Sequence, residues 1–126
     1  MSKTLLITGA TGNLGTKISA HLVAKGYDLR LLCLNPTGRQ GVVSADLTQY
    51  DESWARMFSG VDTVIHLAGE PRPSASWDTV LPLNINLLLN VFEAMRQYGG
   101  SKMIVFQHPI RTPSWVRVKA LILVGK

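Results

Sequence analysis

The 126 residues make one domain's worth of chain, and a composition 46% hydrophobic and 17% charged excludes a disordered polymer. One cysteine, Cys33, excludes an internal disulfide or a cysteine-built zinc cluster and points to a reducing cytoplasm. The net charge of +5 is uneven: residues 1–93 hold seven Lys or Arg against eight Asp or Glu, then Arg96, Lys102, Arg111, Arg117, Lys119 and Lys126 follow with no acid, yet without the modules of a nucleic-acid binder.

No apolar stretch reaches membrane-spanning length, and strand-like residues follow Met1-Ser2-Lys3 at once, without a leader pattern. Lys3 to Thr8 reads as a buried parallel strand, and Asn13 to Lys25 as an amphipathic helix stopped by Gly26. Asp28 to Leu34 reads as a second strand and Gly41 to Ser44 as a short third. Asp51 caps a brief helix, Glu52 to Ser59, which Gly60 terminates. Val61 to Leu67 is apolar enough for a central strand. After a loop marked by Pro71, Pro73 and Ser74 to Ser76, a long helix runs from about Leu83 to Tyr98, stopped by Gly99-Gly100. Lys102 to Phe106 is the fifth strand. Right-handed crossovers turn this series into an α/β fold, a doubly wound Rossmann-type parallel sheet ordered 3-2-1-4-5.

Gly9, Gly12 and Gly15 fall between the first strand and the first helix. A glycine-rich turn in that context fits a dinucleotide: one glycine for the sharp turn, one for backbone approach to the pyrophosphate, one for helix packing. The helix start then turns free N–H groups and a partial positive charge on the phosphates.

Thr8-Gly9-Ala10-Thr11-Gly12-Asn13-Leu14-Gly15 resembles the cofactor turn of the extended short-chain dehydrogenase/reductase family, which includes nucleotide-sugar epimerases and dehydratases. Three more segments match in order. Asp46-Leu47 resembles the family's pair after strand three, whose carboxylate accepts a hydrogen bond from the adenine amino group. His66-Leu67-Ala68-Gly69 resembles the segment whose backbone passes the cofactor ribose. Asn84, in Pro82-Leu83-Asn84-Ile85-Asn86, resembles a helix asparagine that maintains active-site geometry. The resemblance covers Lys3 to Phe106 and implies cofactor binding by Gly9, Thr11, Gly12, Asn13, Leu14, Gly15, Asp46, Leu47, Leu67, Ala68, Gly69 and Asn84. Trp77-Asp78 with Asn84-Ile85 is most similar to the uronate dehydrogenase and sugar epimerase branch. Each residue also has a plainer reading: Asp46 as a turn cap, Asn84 as a helix N-cap, His66 as a structural histidine whose backbone matters more than its ring.

Two departures qualify the match. Cys33, 24 residues beyond the first glycine, stands where NAD-specific members carry the acid that receives both ribose hydroxyls. With Arg39 nearby in sequence, NAD and NADP both stay open; the plain reading of Cys33 is a small hydrophobe. The family's catalytic set is a Ser or Thr after strand five and a Tyr-x-x-x-Lys pair on a later helix, in which the lysine lowers the tyrosine pKa. Here strand five runs into Gln107-His108-Pro109, and the one formal match, Tyr98-Gly99-Gly100-Ser101-Lys102, is broken by two glycines. No catalytic and no metal-binding residue is therefore assigned.

Residues 107–126 match no family pattern and form a basic, apolar tail rather than a separate domain, one expected to add a strand or helix over the sheet. The break in composition leads to the expectation of a truncated or frameshifted product that binds cofactor without turnover. The alternative is a non-catalytic nucleotide-binding sensor, or an oligomer-forming partner of a full-length relative. Uncovered helix faces and a sheet ending at strand five predict a homo-oligomer. A sugar or nucleotide-sugar substrate is implied by the resemblance; nucleic acid and membrane partners are not expected.

Overall fold

Five strands lie in parallel: β1 (Thr4–Thr8), β2 (Asp28–Cys33), β3 (Val42–Ser44), β4 (Thr63–His66) and β5 (Lys102–Gln107). This computed structural model describes residues 3–34, 36, 41–68, 77–107 and 119–124, apart from the side chains of 13, 77–81, 105–107 and 119–124. Gly69, Arg39, the side chains of Asn13 and Trp77-Asp78, the loop at 71–76 and His108-Pro109 lie outside the described residues.

The order β3-β2-β1-β4-β5 is the one expected from right-handed crossovers. The sheet does not end there, however. A sixth strand, β6 (Lys119–Val124), runs antiparallel to β5 with Lys102 opposite Val124 and Gln107 opposite Lys119. The edge of β5 offers unpaired N–H and C=O groups, and the apolar 119–124 segment satisfies them.

Alternation along each strand sorts the core into two layers. Leu6, Leu32, Val64 and Met103 face one side and pack with Trp54, Phe58, Leu87, Val91, Ala94 and Met95. Ile7 and Ile65 face the other, against Ile18 and Leu22 of helix α1 (Asn13–Ala24). The first layer is covered by α2 (Glu52–Ala55), a 3-10 turn (Arg56–Phe58) and α3 (Trp77–Tyr98). Leu87, Val91, Ala94 and Met95 recur at helical spacing, which is why that stripe of α3 is buried.

Helix ends follow local chemistry. α1 stops with Tyr27 N–H on the Leu22 carbonyl and Gly26 N–H on that of Val23, a Schellman closure that needs Gly26 at φ +90°. Asp51 caps α2 by accepting from Ser53 N–H at 2.8 Å, which holds its carboxyl below the usual carboxylate range. α3 begins at Trp77, not near Leu83. Pro82 falls inside it, close enough to the start that the missing N–H removes one bond, to the carbonyl of residue 78, without ending the helix. Asn84 consequently sits two turns inside α3, and the reading of it as an N-cap is corrected.

Candidate functional site at the carboxyl ends of the strands

In the sheet β1 is flanked by β2 on one side and β4 on the other, so successive connections leave in opposite directions. A crevice opens at such a switch point, beyond the carboxyl ends of the strands. Gly9 to Gly15 leave β1 at that end, and Leu67-Ala68 leave β4 beside them.

The three glycines do different work. Gly9 has φ +68°, and a Cβ there would lie 2.9 Å from Ala68 N and 3.0 Å from Leu67 C. A Cβ on Gly15 would lie 2.4 Å from Gly9 O and 2.9 Å from Ala10 Cα. Backbone crowding therefore demands glycine at both positions. At Gly12 a Cβ meets only Gly9 O, at 3.4 Å, and φ is an ordinary −69°. Among the described residues nothing excludes a side chain at Gly12, although the residue opens α1 and supplies no side-chain cap to that helix. An open cradle under an uncapped N-terminus suits a phosphate group.

Thr8 ties the two loops together. Its hydroxyl accepts from Leu67 N–H at 3.1 Å and Ala68 N–H at 3.2 Å, and lies 2.7 Å from His66 Nδ1. Burial pushes the His66 pKa down from 6.5 to about 4, so the ring is neutral. The plain reading of His66 holds: its ring braces the loop that follows.

At the end of β2, Cys33 Sγ contacts Thr11 Oγ1 of the glycine turn, and Cys33 is half-buried. One strand further out, Ala45 N–H bonds to the Cys33 carbonyl at 2.9 Å and leads to Asp46. Asp46 Oδ1 accepts from Thr48 N–H at 3.0 Å and Thr48 Oγ1 at 2.6 Å, so Asp46 does cap a turn. The residue is still exposed, with Leu47 buried behind it. Asn84 is half-buried, and Leu14 is exposed on α1.

Two contributors were missed in the sequence. Thr8 was visible as a polar residue closing an apolar strand. Asn90 of α3, which donates Nδ2–H to the Leu47 carbonyl at 2.7 Å, carried no signal at all. Tyr98 ends α3 and Lys102 begins β5 beside Thr63, the first residue of β4. The pair therefore lies at the amino end of the sheet, opposite the glycine turn. Among the described residues there is no group of three or more His, Cys, Asp or Glu able to hold a metal, and no helix long and apolar enough to cross a membrane.

Fold and crevice together are those of the Rossmann-type dinucleotide-binding proteins. More narrowly, residues 5–107 match the profile of the NAD dependent epimerase/dehydratase family, and the chain belongs to that family. It is 39% identical over 110 residues to the NAD-dependent glucose-6-phosphate dehydrogenase of Haloferax volcanii, covering 81% of this chain and 42% of that one. It is 30% identical over 105 residues to the uronate dehydrogenase of Pseudomonas putida, covering 79% and 38%. A variant of uronate dehydrogenase from Agrobacterium tumefaciens, complexed with NAD, superposes with a TM-score of 0.64 at 32% identity, over 78% of this chain and 38% of that one. The chain thus spans about two-fifths of the length of these relatives.

Proposed function

We propose that this chain is the cofactor-binding portion of an NAD(P)-dependent sugar or uronate oxidoreductase, and that these 126 residues bind the dinucleotide without turning over a sugar. The observation that carries the reading is the division of labour in the glycine turn: packing requires Gly9 and Gly15, whereas the space over Gly12 is left for a ligand. The pyrophosphate lies over Gly12, Asn13 and Leu14 at the start of α1, with Thr11 alongside. Leu67, Ala68 and Gly69 border the cofactor ribose, Asp46 and Leu47 receive the adenine, and Asn84 maintains the geometry of the reacting end. When bound, the nicotinamide supplies hydride chemistry. The protein's part is to hold it. No Tyr-x-x-x-Lys pair other than Tyr98 and Lys102 exists in the chain, and that pair is at the wrong end of the sheet.

Cys33 leaves the end of β2 without a carboxylate to engage the ribose hydroxyls or repel a 2′-phosphate, so NADP binds as well as NAD. Residues 1–106 form the binding unit and the tail adds its edge strand. Ile85 and Leu89, one turn apart on α3 and 47% and 57% exposed, support self-association through that helix in a cytoplasmic dimer. Titration with NADH and NADPH, followed by cofactor fluorescence and thermal stability, tests the binding. Failure of both to bind removes the reading. Steady reduction of NAD with glucose 6-phosphate or a uronate removes the claim of inactivity.

A further inference from the structure

We infer that Asn90 is a positioning residue for the adenine end of the site, acting through the bond from its Nδ2–H to the Leu47 carbonyl; this rests on the cofactor reading above. The segment 46–50 follows β3 as a tight turn, with Gln49 N–H on the Asp46 carbonyl at 3.1 Å. A turn at a three-residue edge strand has little sheet to hold it. Its anchors come from elsewhere. Leu47 is buried in the core under α3, and Asn90 grips the carbonyl of the same residue from α3. Gln97, two turns further along α3, accepts from the Tyr50 hydroxyl, and Trp54 Nε1–H bonds to the Gln49 carbonyl at 3.0 Å.

These bonds have a consequence for Asp46. Thr48 occupies Oδ1 twice, which sets the plane of the carboxylate and leaves Oδ2 without a bond among the described residues. The remaining freedom is movement of the turn as a whole, and the bond to the Leu47 carbonyl, one residue beyond Asp46, removes it. A hydrogen bond to a charged acceptor repays such preorganisation, since a displaced carboxylate loses both distance and angle. α3 thereby governs both ends of a bound dinucleotide, through Asn84 at one and Asn90 at the other.

The test compares NADH and reduced nicotinamide hypoxanthine dinucleotide by calorimetric titration of the full chain, two ligands that differ only at the N1–C6 edge of the purine, where hypoxanthine lacks the amino donor of adenine. The wild-type chain is expected to prefer NADH by about tenfold, the worth of one charge-assisted bond. Asn90→Leu is expected to bring the two affinities within about twofold of each other, mainly by weakening NADH. Asp46→Ala does the same, and the double variant loses no further preference because both changes break one connection. If Asn90→Leu weakens both ligands equally and keeps the preference, Asn90 is purely structural and the inference is overturned. A wild-type chain that binds both ligands alike overturns it too. A wild-type chain that binds neither overturns the cofactor reading and the inference with it. Should Asn90→Leu fail to fold, Asn90→Asp keeps the shape, removes the donor and is expected to give the same loss of preference.

Discussion

The hydroxyl of Thr8 and Nδ1 of His66 lie 2.7 Å apart, side by side on paired strands β1 and β4. The direction of that bond follows by counting. Thr8 Oγ1 already accepts from Leu67 and Ala68 N–H, which uses both lone pairs, so its proton goes to Nδ1. His66 is therefore an acceptor at Nδ1, neutral, with its proton on Nε2. A protonated ring would set N–H against O–H and break the arrangement that shapes the loop beside Gly9.

Acid stability should report the burial of this ring. The native ring holds off protonation to about pH 4, whereas in the unfolded chain it titrates near 6.5. Between those values the unfolded state binds a proton that the native state does not, so stability falls as pH falls from about 6.5 to 4 and is level in this respect above 6.5. The full drop amounts to about 3 kcal/mol. Urea unfolding at pH 7 and pH 5 is expected to show a large part of it, and His66→Gln to flatten the slope between these two pH values.

Thr8→Val keeps the shape of the side chain but leaves Ala68 N–H and the ring nitrogen of His66 short of a partner, while Leu67 N–H keeps its bond to the Thr8 carbonyl. A loss of about 1–3 kcal/mol follows from unmade bonds of that kind. Thr8→Ser retains the hydroxyl and is expected to recover most of it. Equilibrium unfolding of the two variants side by side checks this, and a Val variant as stable as Ser contradicts it.

The glycine trio separates stability from binding. Gly9→Ala forces an L residue to φ +68° against the Leu67-Ala68 backbone, and Gly15→Ala drives a methyl into the Gly9 carbonyl. Each is expected to cost about 2–4 kcal/mol. Gly12→Ala is expected to stay within about 1 kcal/mol of wild type, because its backbone conformation is ordinary and its surroundings are open. Its NADH affinity should nevertheless fall at least about tenfold, as a methyl takes the space meant for phosphate. Thermal melts and NADH titration of the three variants read the two effects separately.

Self-association through α3 predicts a concentration-dependent dimer in light scattering. Leu89→Glu places a charge on the exposed stripe and is expected to give a monomer with an unchanged melting temperature at high dilution. A wild-type monomer at high concentration contradicts the proposal.

What the chain alone determined is the order of the five parallel strands and the place of the glycine turn. Both rest on local signals: apolar runs at Leu5 to Ile7 and Val64-Ile65, glycines spaced between strand and helix, and crossovers of one hand. The start of α3 was misread because Pro82 normally marks a boundary, and only its closeness to the helix start made it tolerable. The strand at Lys119–Val124 was no more than one option, since an apolar hexapeptide becomes a strand only if an open edge such as that of β5 is beside it. Tertiary structure alone decided that, among the described residues, Gly12 has room for a side chain where Gly9 and Gly15 do not, because crowding depends on which backbone returns to each site. It alone brought Thr8 to His66 across 58 residues of chain and Asn90 to Leu47 across 43. Hydrogen bonds between residues so far apart leave no periodicity behind, and only folding puts the partners within reach.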